Sequence, residues 1–282
     1  MPVGVLGKNH QAGSWSARQI YGQVWTAAVE RATLADPRVI PTVMMNKIRA
    51  TLPLGGNLTV QSQLDEFEHA VTINAAPSGK DITLYKDRIR IGVSDESGID
   101  SDVGDPLQLQ KTQAAAELAG NLQTLIATSL AATPQVQATA DWDTVSPLLT
   151  LGQMIQTLRP YQASAVVMAP TPYAQYVAAL GNGIFSGGQT EDLQKGISIV
   201  PGYGIPVFPS NIWGDQSANS VAVVANDVPG AVLGMGPVKI REWDDYDLGS
   251  RMYQYDVWRT PVSNLRQTSA NLNRGVITCV IT

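Results

Sequence analysis

The chain has 282 residues, 44% of them hydrophobic and only 15% charged, with a formal net charge of −5. That length supports a sizeable core, in one large domain or two smaller ones. The single cysteine, Cys279, excludes an internal disulfide, and the two histidines, His10 and His69, are too few for a His-based triad or a His-rich metal site. The weak negative charge carries no global mark of a nucleic-acid binder.

Charged content well below the usual quarter points to a surface that partners cover. The first 13 residues, MPVGVLGKNHQAG, lack the apolar core of a signal peptide. No apolar run reaches the roughly 18 residues of a membrane span. A soluble protein folded inside a cell is the expectation.

Charge is unevenly spread. Residues 1–50 carry Lys8, Arg18, Arg31, Arg38, Lys47 and Arg49 against Glu30 and Asp36, a balance of +4. Residues 65–105 hold ten acids against four bases, −6, and residues 251–282 hold four arginines against Asp256, +3. Oppositely charged regions of this kind can pair between copies of one chain.

In chain order, residues 1–13 are glycine-rich and Ser14 to Leu34 has helical spacing, with Trp15, Tyr21 and Trp25 beside a mixed face. Asp36-Pro37 breaks it. Residues 38–57 have no clear period and read as an arm laid over other surfaces, against which Trp15 and Trp25 would bury. Residues 58–93 read as a hairpin. Phe67, Val71, Ile73 and Ala75 alternate on one strand, Ala76 to Lys80 turns, and Ile82, Leu84, Ile89, Ile91 and Val93 return after a parity switch that predicts a bulge. Such a ribbon is marginal alone and needs a surface to lie on.

The stretch from Asp105 to Thr133 predicts the longest helix. Asp105 is a good N-cap, Pro106 tolerates the first helical position, and Pro134 disfavours helix at Thr133. Leu107, Ala114, Ala115, Leu118, Leu122, Leu125, Ile126 and Ser129 form one apolar stripe. The opposite face, including Gln108, Gln110, Gln113, Asn121, Gln123, Thr124 and Thr128, is polar but uncharged. A free surface helix usually carries more Lys and Glu.

Helices are then predicted from Ser146 to Leu158 and from Thr171 to Leu180, with a strand at Ala163–Ala169 between them. Strands are expected at 197–200, 205–208 and 221–225, so that 145–236 reads as an α/β unit. Val238–Trp243 and Arg251–Trp258 flank an acidic turn as a hairpin, and Gly275–Thr282 is a last apolar strand.

No G-x-S-x-G, Walker A or H-E-x-x-H pattern occurs. The Gly181–Gly196 region lacks the Lys-Ser/Thr of a phosphate loop and reads as a loop. Asp244, Asp245 and Asp247 read as a solvated turn rather than a cation site. Nothing assembles an active site or implies a cofactor or metal.

The order of these elements, with PGYGIPVFPSN leading into SVAVVANDVPGAVLGMGPVKI, resembles the major capsid protein of tailed phages, whose shell fold encapsulins share. The resemblance is architectural and spans nearly the whole chain. It implies an α+β fold with an N-terminal arm (1–57), an extended β-hairpin loop (58–104) and an axial α/β domain (145–236). A peripheral domain would hold the long spine helix and a sheet (105–144 and 237–282), with the helix packed on the closing β segment.

It further implies a structural, non-enzymatic subunit forming pentamers and hexamers of an icosahedral virion shell, assembled in the host cytoplasm. Partners would be other copies, packaged double-stranded DNA held without sequence readout, and separate scaffolding, portal or decoration proteins. Intersubunit contacts would fall on Trp15, Trp25, Phe67, Lys80, Lys86 and Arg88. The neutral helix face would look into the shell, and deleting 66–92 would leave a folded core unable to assemble. No scaffold segment precedes the arm, and no lysine–asparagine pair matches the cross-link of some members. The alternatives are an encapsulin compartment and an α/β enzyme with a site near Gly181–Gly196.

Overall fold

A computed structural model describes residues 33–54, 78–94, 106–132, 134–159, 161–181, 198–214, 220–225, 231–247, 249–262 and 273–282. Asp105, Thr133, Trp15, Trp25 and Phe67 lie outside them, as does most of the helix expected over 14–34. The architecture is mixed α and β. A four-stranded sheet runs in the order β1 (Thr42–Met44), β10 (Val232–Asp245), β11 (Ser250–Val262) and β4 (Tyr85–Ser94). A six-stranded sheet runs in the order β5 (Pro134–Val136), β12 (Asn273–Val280), β9 (Ser220–Ala225), β6 (Ala163–Met168), β8 (Ile205–Pro209) and β7 (Ser198–Val200). A separate ribbon pairs β2 (Arg49–Leu54) with β3 (Ser78–Thr83).

The long helix α1 spans Pro106–Ala131. Its buried stripe is Ala114, Ala115, Leu118, Ala119, Leu122, Ile126, Ala127 and Leu130, with Leu125 half-buried beside it. This stripe packs in one apolar cluster with Ile91 of β4, Tyr253 and Tyr255 of β11, Val224 of β9 and Val276 of β12. The helix therefore joins the two large sheets. Burying one leucine or isoleucine there stabilises by about 1.5–3 kcal/mol. Thr124 and Thr128 are exposed in the single chain, and Gln113 and Asn121 are exposed at the flank toward the four-stranded sheet.

The six-stranded sheet is covered on both faces, which is why its central strands are continuous apolar runs rather than alternating ones. Helix α1 and Trp213 of the one-turn α4 (Asn211–Gly214) pack on one face. On the other, α2 (Pro147–Thr157) contributes Leu151 and Met154, and α3 (Pro170–Gly181) contributes Tyr176 and Leu180. Proline stands first in both helices, where its missing N–H costs nothing.

Three expectations are corrected. The closing strand does not complete the sheet bearing β10 and β11. It pairs antiparallel with β9 and parallel with β5, placing Val276 against α1 and Ile277, Cys279 and Ile281 against the α2–α3 side. A strand apolar on both faces needs the doubly covered sheet. Second, residues 34–44 are not draped over the surface. Leu34, Val39 and Ile40 are fully buried in the α1 cluster, and β1 pairs parallel with β10. Third, the ribbon begins earlier than expected. Arg49–Leu54 pairs in register with Thr83–Ser78, so Ser78 to Lys80 are strand residues and not a turn. The parity switch after Leu84 marks the hand-over from the ribbon to β4, in a different sheet, rather than a bulge.

Leu84 is the anchor of that hand-over. Its N–H donates to the Ile48 carbonyl at 2.9 Å, and its side chain packs with Met45, Ile82 and Val232. Gly236, at an irregularity of β10 between Met235 and Val238, lies directly over it. A Cβ at 236 would stand 2.5 Å from Leu84 Cδ1 and 3.1 Å from Trp258 Cβ. Gly236→Ala should therefore cost about 1–3 kcal/mol of overpacking. Urea titration checks this, expecting a lower midpoint with an unchanged slope.

Candidate assembly interface

Period-two alternation divides the four-stranded sheet into two chemically different faces. Tyr253 and Tyr255 of β11 are buried in the α1 cluster with Ile91 of β4, and Val257 and Arg259 share their strand face, while Gln254 and Asp256 are buried on the other. Arg259 is 2% exposed and ties three elements together. Its guanidinium donates to the Asp87 carboxylate and, at 2.7 Å, to Asn121 Oδ1 on the helix.

The outward face is cationic and aromatic. Lys86, Arg88 and Arg90 of β4 stand opposite Trp258, Asp256 and Gln254 of β11, which stand beside Lys239 and Arg241 of β10. Lys86 and Lys239 lie over the Trp258 ring, 5.9 and 5.6 Å from its centroid, and Arg90 lies 5.9 Å over Trp243. Such contacts hold the cations near the sheet while leaving their charge available. Arg88 Nε donates to Asp256 at 2.7 Å, and Gln254 Nε2 donates to the same carboxylate at 3.1 Å. Among the described residues, the salt bridges leave Lys86, Arg90, Lys239 and Arg241 without an acidic partner.

The hydrogen bond from Arg88 holds the Asp256 carboxyl below the usual carboxylate range, against the opposing effect of burial. The sign follows. The native state binds this proton less readily than the unfolded chain, so the contribution is present above the unfolded pKa of about 3.9 and is lost as pH falls through the native value. Unfolding midpoints should decline from about pH 5 downward, and Arg88→Gln should flatten the decline. An unchanged acid limb in that variant would contradict the assignment.

Of the expected contact residues, Lys86 and Arg88 lie on this face, although Arg88 also serves an internal pair. Lys80 is half-buried on the ribbon, in register with Leu52. Arg90, Lys239, Arg241, Trp243 and Trp258 were not expected. Their signal is alternate-residue spacing, K-x-R-x-R in β4 and K-x-R-x-W in β10, but only register brings the two runs onto one face. Further exposed apolar side chains line the ribbon's base, with Met44 73%, Ile48 49% and Tyr85 69% exposed.

The catalytic alternative near Gly181–Gly196 lies, beyond Gly181, outside the described residues. Among the described residues no three His, Cys, Asp or Glu side chains gather to hold a metal ion. Cys279 is buried within β12, and burial pushes its thiol pKa up, which disfavours the reactive thiolate. A surface cleft of about 420 Å³ lies between Arg159, Tyr161 and Tyr203 at the edge of the six-stranded sheet, with no acid–base pair in its lining. No described helix is long and apolar enough to cross a membrane.

No family model and no curated protein matches the sequence. Solved structures do match. The capsid structure of the Cyanophage P-SCSP1u is similar at a TM-score of 0.59 and 11% identity, over 86% of this chain and 85% of that one. A virus-like particle from Pyrococcus furiosus is similar at 0.58 and 12% identity, over 92% and 98%. The chain has the shell fold of phage capsids and encapsulins. An encapsulin complex from Synechococcus elongatus, at 0.55 and 10% identity over 86% and 85%, matches this shell fold as well.

Proposed function

We propose that this chain is the major capsid subunit of a tailed phage, assembling through pentamers and hexamers into an icosahedral shell around double-stranded DNA. The observation that carries the reading is the two-way coverage of shell proteins by nearly the full chain. The ribbon supports it independently. Six paired residues per strand extend from the body beyond Leu84, and a two-stranded ribbon is stable only when it lies on something. A neighbouring subunit supplies that surface.

On this reading the role is structural and not catalytic, and the protein resides in the virion after assembly in the host cytoplasm. The domains would be residues 1–33 as arm, 49–83 as extended loop, α1 with β4, β10 and β11 as the peripheral part, and 134–225 with β12 as the axial part. Trp15, Trp25 and Phe67 would bury between subunits. The basic segment 1–50 and the uncharged face of α1 would meet packaged DNA, the first offsetting phosphate charge without sequence readout. Portal and decoration proteins would be further partners of the shell.

The encapsulin neighbour keeps a compartment shell as the second reading. Producing the chain alone and imaging the product by negative stain tests the shared claim, with closed shells or capsomers expected and a monodisperse monomer contradicting it. Shells recovered from native cells then separate the two readings. Nuclease-protected DNA supports the capsid, and an enclosed enzyme supports the compartment.

A further inference from the structure

Resting on the shell reading, we propose that the cationic outer face of the four-stranded sheet docks the acidic segment 95–105 of a second copy of this chain. The face gathers Lys86, Arg88, Arg90, Lys239 and Arg241 around one buried acid, Asp256, with Asp245 at the far end of β10. Like charges set this close on adjacent strands repel one another, so the face is stabilised by a polyanionic occupant.

Charge complementarity selects the occupant. Residues 95–105 read DESGIDSDVGD, with Asp95, Glu96, Asp100, Asp102 and Asp105 and no base. No other stretch of this length outside the described residues is as acidic; 55–77 holds Asp65, Glu66 and Glu68, and 1–32 is net positive. Five acids face the four cations that lack an acidic partner, Arg88 being held by Asp256.

Chain length makes the pairing intermolecular. Ser94 ends β4, and α1 runs antiparallel to β4 on the inward face, since Asn121 is tied to Arg259 beside Asp87 while Gln113 and Ala114 adjoin Ile89 and Ile91. Pro106 thus begins near the Ser94 end. Eleven residues span at most about 40 Å. Covering Arg88 from Ser94 requires about 20 Å outward along the strand at about 3.3 Å per residue, the same distance back, and a passage around the sheet. A segment tethered to its own helix falls short of Lys86 and Arg88, whereas another copy's segment does not. Contacts of exposed charges are screened beyond roughly 10 Å at 0.1 M salt, so the association weakens as salt rises.

The experiment uses the full chain and two sets of substitutions. One inverts the face (Lys86→Glu, Arg90→Glu, Lys239→Glu, Arg241→Glu) and leaves Arg88 on Asp256. The other inverts the segment (Asp95→Lys, Glu96→Lys, Asp100→Lys, Asp102→Lys). Circular dichroism establishes that each is folded, and a glutamine set at the four face positions replaces the glutamate set should that one not fold.

Each set alone is expected to lower shell or capsomer yield at least about ten-fold. The doubly inverted chain should recover it, and mixing the two singly inverted proteins should give association that neither shows alone. Undiminished yield from face inversion overturns the proposal. So does recovery in the doubly inverted chain without association in the mixture, which would place the pairing within one chain. Rescue of the face set by Asp65→Lys, Glu66→Lys and Glu68→Lys instead would assign the face to the acids of 65–68 and also overturn it. Failure of the wild-type chain to assemble would sink the shell reading itself, a separate outcome.

Discussion

Replacing residues 55–77 by an Asn-Gly turn that joins Leu54 to Ser78 yields a folded subunit that no longer forms shells. The register makes the graft geometrically sound, because Leu54 already pairs with Ser78 and a two-residue turn closes such a pair. The apolar contacts of the ribbon base, through Ile82 and Leu84 with Met45 and Val232, remain intact. Secondary structure and the urea midpoint should stay near wild type while assembly falls to background. Shells at normal yield would remove the role given to the ribbon. The deletion of 66–92 expected from sequence is the wrong cut. It would also take Leu84 and most of β4, with Asp87, Arg88 and Ile91, and the four-stranded sheet would lose an edge strand that packs against α1.

The largest single-residue effect on stability is expected at Arg259. Its guanidinium sits beneath the sheet, 2% exposed, and binds Asp87 on the neighbouring strand and Asn121 on the helix. Arg259→Met keeps much of the volume but leaves a partly buried carboxylate and an amide without their donor. Removing one member of a buried ion pair costs about 3–5 kcal/mol, and the partial exposure of Asp87, 29%, argues for the lower end. Adding Asp87→Asn should recover part of the loss by neutralising the stranded charge. A double-mutant cycle of urea midpoints measures the coupling, and strictly additive effects would contradict the tie described here.

The long helix was legible because its signals are local: prolines at both ends and an apolar stripe that the fold buries at Ala114, Leu118, Leu122 and Ile126. The β10–β11 hairpin was legible for the same reason, its strands being adjacent in sequence with the turn between them. What could not be read is non-local pairing. Arg49–Leu54 is short and carries a proline, and its strand identity comes from Ser78–Thr83, beyond an intervening 23-residue segment. Similarly, GVITCV announces a doubly buried strand but not which sheet buries it, and only the pairing with β9 decides. The cationic face was half legible. Lys86 and Arg88 stood out on β4, while Lys239 and Arg241 join them only through the β11 register, which puts Asp256 between Arg88 and Lys239.

The two large sheets meet on one helix, and this bears on how a shell could move. Because α1 packs simultaneously on β11 and on β9 and β12, a rotation of one sheet against the other would have to repack Leu122, Ile126 and Val276. On the proposed shell reading, rigid-body shifts between subunits, with the ribbon as the adjustable contact, would avoid that cost.

Sedimentation velocity of the purified wild-type chain at low and high salt tests the central claim most directly. Megadalton shells, or capsomers of about 150 and 180 kDa for five and six copies of the 30.1 kDa chain, are expected, and they should dissociate as salt rises. A single salt-independent species at 30.1 kDa would contradict that claim.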